Sequence, residues 1–115
     1  MRAWRAGVTL VAGSDAGNLL VIHGPTVQRE LELWADAGIP GPVALQAATL
    51  NAARALHAAS RLGSIEKGKD ATLLIVDGNP LQDIRTLESV SMVIFKGERI
   101  NRGERENGSE LLKQE

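Results

Sequence analysis

Asp15 is the carboxylate best placed to do chemistry. It follows the run Val8-Thr9-Leu10-Val11-Ala12 inside a glycine-flanked loop, Gly13-Ser14-Asp15-Ala16-Gly17. A short run rich in β-branched residues that stops at a glycine reads as a strand buried on both faces, as in a parallel sheet. In barrel folds catalytic groups gather just past the C-terminal ends of such strands. A carboxylate there can ligate a metal ion or take a proton from metal-bound water. The same residue could equally bond its own backbone as an ordinary turn aspartate. His23 comes eight residues later, before Gly24-Pro25. Its imidazole could meet an anionic substrate or a metal, or sit partly exposed in a loop. His57, at an alanine-rich helical end, reads as a surface or capping residue. Two histidines and one loop aspartate close a metal site only if all three converge, and their spacing does not require it.

Other chemistries find little support. The glycine loop lacks a following Lys-Ser/Thr pair, and its spacing does not fit a dinucleotide fold. Ser14 lies between Gly13 and Asp15, outside any Gly-x-Ser-x-Gly elbow. Lys67 and Lys69 flank Gly68 and read as a solvated turn, and Trp4 and Trp34 read as packing residues. Cysteine is absent, which excludes disulfides, thiolate nucleophiles and thiolate zinc sites and agrees with a reducing cytoplasm. Thirteen Lys+Arg against 14 Asp+Glu leave a net charge of -1, so no basic stripe is available for nucleic acid. No apolar run approaches the roughly 20 residues that span a membrane. The apolar stretch after Arg2 and Arg5 is too short for the core of a signal peptide before Asp15 interrupts it.

The elements that would position these residues follow from pattern. Leu19–Ile22 is a second apolar stretch, broken by His23-Gly24-Pro25. Thr26 is suited to cap a helix over about Val27–Ala37, with Val27, Leu31 and Trp34 on one face and Arg29, Glu32 and Asp36 on the other. Gly38 is the stop signal. Pro42 suits the first turn of a second helix, and Asn51 could cap a third through Ala52–Leu56. Past Arg61 the character changes. A turn-rich approach leads to a strand over Thr72–Val76, an irregular or one-turn connection over Leu81–Leu87, and a strand over Val90–Phe95. Lys96-Gly97-Glu98 then forms a hairpin turn into Arg99-Ile100. The polar residues 101–115 read as a frayed tail. The first strand has no parallel partner in this order, although a right-handed βαβ unit needs one beyond the helix. The later strands read as part of a different sheet.

Taken in order, four stretches resemble the C-terminal part of a metal-dependent amidohydrolase of the imidazolonepropionase-like and Xaa-Pro dipeptidase-like branch. The first is Val8–Gly17, and the second is His23-Gly24-Pro25 with Glu30–Leu33 and Ala37-Gly38. The third is Ala44–Ala53. The fourth is Gly63–Ala71 running into Leu74–Leu81. The resemblance implies an α/β fold. Residues 1–60 would be the last strand and helices of a (β/α)8 TIM-like barrel, and residues 61–100 part of a small composite β-sandwich, followed by the tail. It implies that Asp15 is a metal ligand and proton shuttle and that His23 contacts the substrate. It implies hydrolysis of non-peptide C–N bonds in a small-molecule amide substrate, with a divalent metal, commonly zinc, as cofactor.

Several departures qualify that implication. The family's His-x-His pair, its mid-barrel lysine or glutamate and its two later histidines are absent, and a full barrel needs about 250 residues. A catalytic zinc usually keeps three protein ligands. The chain alone is therefore expected to hold no metal and to be inactive. A truncated product, a split enzyme with a complementing chain, and a retained non-catalytic module each account for the length. Homo-oligomerisation through the uncovered apolar faces is a further expectation. Thr72 stands where the family usually has aspartate, and His57 near a usual glycine.

Overall fold

Helices come first and a small antiparallel sheet last. The computed structural model describes residues 2–17 and 24–100. Leu19–Ile22, His23 and the tail over 101–115 lie outside them. The elements are α1 (Arg2–Arg5), α2 (Thr26–Asp36), α3 (Gly41–Ala48) and α4 (Leu50–Ala55), then β1 (Leu73–Val76), a 3-10 turn (Ile84–Glu88), β2 (Val90–Phe95) and β3 (Glu98–Ile100).

Helix α2 starts one residue earlier than the pattern suggests. Pro25 occupies the cap position and Thr26 is already helical, so no side chain caps this end. The far end stops where expected. Gly38 N–H donates to Ala35 O and Ile39 N–H to Trp34 O, the paired bonds that close a helix C-terminus. Leu31 is the most buried large side chain, 2% exposed, with Val27 and Trp34 packed beside it. Glu32 departs from the expected solvent face and is buried. Helix α2 is wedged between α3 and the 3-10 turn, so its wet face is narrower than one stripe implies. The exposed guanidinium of Arg29 reaches back to Glu32 Oε2 at 2.7 Å and satisfies it.

Pro42 lies in the first turn of α3, where a missing N–H costs nothing. Ala44 and Ala47 are fully covered, and small side chains allow α3 to sit close to α2 and α4. Asn51 does not cap α4. Thr49 precedes that helix, and Asn51 lies inside it with its amide committed elsewhere.

The sheet order is β1-β2-β3, antiparallel throughout, with Leu74 opposite Val93 and Val93 opposite Ile100. Phe95 pairs with Glu98 across a two-residue turn. Both turn residues take positive φ, Lys96 at 50° and Gly97 at 87°, as the tight hairpin twist requires. The 3-10 turn buries Ile84 and Leu87 against Leu31, Ile39 and Ala44, and so ties the sheet's connection to the helices. Asp83 starts that turn by accepting from Arg85 N–H at 3.0 Å. Arg85 in turn bonds Asp36 at the end of α2 at 2.7 Å.

Candidate functional site

The segment before Asp15 carries neither helix nor sheet ladder, where a strand buried on both faces was expected. A ladder needs a neighbour, and no described strand lies beside it. Exposure instead alternates residue by residue from 9 to 15. Leu10, Ala12 and Ser14 are partly covered, and Leu10 and Ala12 pack against the core. Thr9, Val11, Gly13 and Asp15 are exposed. Period-two alternation is the signature of an extended chain lying on a support. Here the helices cover one face and the other stays open.

Three helices hold the segment in place. Ala12 N–H donates to Ala47 O of α3 at 3.2 Å. Asn51 Nδ2 of α4 donates to Leu10 O at 3.0 Å. Gly13 N–H donates to Glu30 Oε2 of α2 at 3.2 Å. The segment ends at Asp15, whose φ of +51° is left-handed, a region that aspartate enters more readily than most side chains. Asp15 thus stands at a sharp turn, on the face that Thr9 and Val11 leave open.

Among the described residues no group of three His, Cys, Asp or Glu side chains comes together to hold a metal ion. The donor set around Asp15 does not make up a metal centre. His57 is exposed and does not join Asp15 in such a group. It sits just past α4 with φ of +54°, bonded through its N–H to Arg54 O at 3.0 Å, while Ala58 N–H reaches Ala53 O at 2.8 Å. That pair of bonds is a helix-closing motif, so His57 fills a capping position normally suited to glycine.

Sequence reasoning missed three residues. Glu30 had no role assigned and Asn51 read as a helix cap, yet both hold the Asp15 segment. A hint lay in their places on helices that follow a loop carboxylate, but only folding pairs them. Lys69 looked like part of a solvated turn. Its side chain is 13% exposed, donates to Ser64 Oγ and lies 3.3 Å from Glu66.

Two shallow cavities flank this scaffold, and neither reaches Asp15. One of about 330 Å³ lies between α1, the start of the extended segment, α3 and α4, walled by Trp4, Thr9, Gln46 and Arg54. The other, about 270 Å³, lies beside the sheet between Arg61, Asp70 and Lys96. No helix among the described residues is long and apolar enough to cross a membrane.

Several known proteins share these features. Ochratoxinase of Aspergillus niger is 31% identical over 105 residues, which is 88% of this chain and 21% of that protein. A Xaa-Pro dipeptidase solved with methionine in its active site superposes with a TM-score of 0.79 at 39% identity, covering 87% of this chain and 24% of that one. Molinate hydrolase superposes with a TM-score of 0.81 at 28% identity, over 87% and 25% of the two chains. The chain therefore spans about a fifth to a quarter of the length of these relatives. They belong with enzymes of TIM-barrel type that are generally metal-dependent. The sequence pattern of the amidohydrolase family matches residues 1–100, the extended segment, the helices and the sheet alike, and this chain belongs to that family.

Proposed function

We propose that this chain contributes the last barrel strand, its catalytic carboxylate and part of a β-sandwich to a hydrolase of non-peptide C–N bonds in cyclic, ureido or dipeptide-like amides. Residues 1–60 supply the strand and outer helices, residues 61–100 the sandwich part, and the tail follows. The observation that carries this reading is the alternation over residues 9–15. It leaves Asp15 on the open face of a segment whose other face is sealed by helices, the geometry of a strand at a barrel wall. In the whole enzyme Asp15 would be one donor to a metal that supplies activated water, and its carboxylate would accept and pass on the proton. The remaining donors would come from the rest of the barrel, and zinc is the metal that fits the resemblance. His23 contacts the small-molecule substrate. The absence of cysteine suits work in a reducing cytoplasm.

The chain on its own is expected to turn nothing over. Incubated with added zinc and a panel of amide substrates, it should show no hydrolysis. Clear hydrolysis that disappears in Asp15→Asn would overturn the claim of incompleteness. A chimera tests the role of Asp15 directly: residues 1–100 replace the matching segment of the Xaa-Pro dipeptidase. The chimera should hydrolyse Xaa-Pro dipeptides, and Asp15→Asn should slow it about 10²–10⁴-fold, the range for a lost general acid–base group. Full activity in that variant would remove Asp15 from the mechanism.

A second reading rests on Val8 and Val11, which are 53% and 45% exposed. Exposed apolar residues on an extended segment suit burial against another chain. The protein would then be a split-enzyme subunit or a non-catalytic module that binds a chain supplying the rest of the barrel. Co-purification with a chain bearing His-x-His would favour the split enzyme.

A further inference from the structure

We propose that Glu30 is a positioning residue for Asp15, an inference that rests on reading Asp15 as the catalytic carboxylate. In an extended chain the C=O of one residue and the N–H two residues on point to the same edge, while the residues between point to the other. Leu10 O and Ala12 N–H share one edge, and α4 and α3 hold it through Asn51 and Ala47 O. Gly13 N–H emerges on the opposite edge, and Glu30 Oε2 from α2 accepts it. The two edges are thus fixed independently, and Glu30 secures the one nearer the turn.

Packing cannot replace that bond. A Cβ built on Gly13 would find open space within 4 Å, so side-chain contact gives the backbone no lateral restraint there. Two residues later Asp15 must turn into left-handed φ, which costs a side-chained residue about 1–2 kcal/mol. A chain free to slide at Gly13 relieves that strain and swings the carboxylate away. A carboxylate acceptor makes a stronger bond to N–H than a neutral one, and its helix makes it a rigid post. Displacement of a reacting group by about 1 Å can cost about 10²-fold in rate. The bond is partial insurance against that, so its loss should cost less.

The test has two arms. In the 115-residue chain, amide exchange at Gly13 is followed by NMR. Glu30→Ala should speed it about tenfold, the loss of one charge-assisted bond. Glu30→Gln keeps an acceptor and should stay near the parent. Glu30→Asp, with its shorter reach, should behave like Glu30→Ala and serves if the alanine variant fails to fold. In the chimera described above, Glu30→Ala should lower kcat about tenfold with KM within about twofold. Glu30→Gln should restore most of it. Unchanged Gly13 exchange, a rise in KM alone, or glutamine behaving as alanine would each overturn the proposal. If Asp15→Asn leaves the chimera active while Gly13 exchange still answers to Glu30, the catalytic reading has failed and the tether has not.

Discussion

A carboxylate's affinity for protons is set by the donors around it, and Glu66 has two. The Ser64 hydroxyl donates to it, and the Lys69 ammonium stands 3.3 Å away. Both favour the ionised form, the hydroxyl most, and hold the Glu66 carboxyl below its ordinary range. A depressed carboxyl contributes stability that is present above its unfolded titration range and is lost as pH falls through the folded one. The Glu66 side chain is 62% exposed, so solvent screens the effect and it remains a local one. Ser64→Ala should move the Glu66 titration upward, read by carboxyl carbon NMR. A titration that stays put would remove the hydroxyl as its main cause. At Arg29 the same logic runs in reverse. Its bond to buried Glu32 raises the guanidinium's already high pKa, so Arg29 keeps its charge. The place of Asp15 in a loop after an extended segment was legible from residue type and pattern. Its left-handed φ was not, because nothing in Gly-Ser-Asp-Ala-Gly distinguishes which residue turns. Glu32 was misread for a related reason: helical spacing marks faces but does not say how many neighbours a helix will have.

Elements were legible where the deciding chemistry is local. Gly38 ends α2, Pro42 begins α3 and Lys96-Gly97 turns the hairpin, each through its own backbone preference. They were illegible where a distant partner competes. Asn51 caps well in general, but Leu10 O, 41 residues away, takes its amide. The strand expected at Val8–Ala12 is apolar but for Thr9, yet burial on both faces depends on neighbours that a run of five residues cannot specify. The closing of α4 gives a local prediction. His57 holds a left-handed φ of +54° on an exposed site, where glycine carries no steric penalty. His57→Gly should stabilise the fold by about 0.5–1 kcal/mol, after subtraction of glycine's greater unfolded freedom. Thermal melting should rise by a few degrees. A lower melting temperature would show that the imidazole itself holds something. Gly63 is the opposite case. Its φ is +91°, and a Cβ there would come within 2.7 Å of the Ala53 side chain and 2.9 Å of Leu50 Cα. Gly63→Ala joins backbone strain to a clash with helix α4, and overpacking alone costs about 1–3 kcal/mol. Chemical denaturation should show a lowered midpoint; an unchanged one would mean that the Gly63 turn moves freely away from α4.

At the scale of the molecule, the described residues bury few large side chains. The buried apolar set is Leu31, Ile39, Ile84 and Leu87 with three alanines. Against these, Val8, Val11, Leu33, Leu74, Ile75 and Phe95 are each at least 41% exposed. Val8 and Val11 belong to the segment that leads to Asp15, and Leu74, Ile75 and Phe95 belong to the sheet. Scattered apolar residues on a surface are ordinary, but exposed ones on an extended segment and on the strands of a small open sheet suit association. The relatives are roughly four times as long as this chain, so they have further chain with which such surfaces could be covered. The isolated chain should therefore self-associate, and light scattering should give a mass above that of one 12.3 kDa chain. The paired change Val8→Asp with Val11→Asp places charges at exposed positions of the segment without touching Leu10 or Ala12, which pack inward. It should shift the chain toward monomer while the circular dichroism of the helices is kept. If the parent chain is already a monodisperse monomer, the open face does not drive association and the barrel-wall assignment of residues 9–15 loses its physical basis. If the paired variant associates as strongly as the parent, the sheet rather than the Asp15 segment is the surface that seeks a partner.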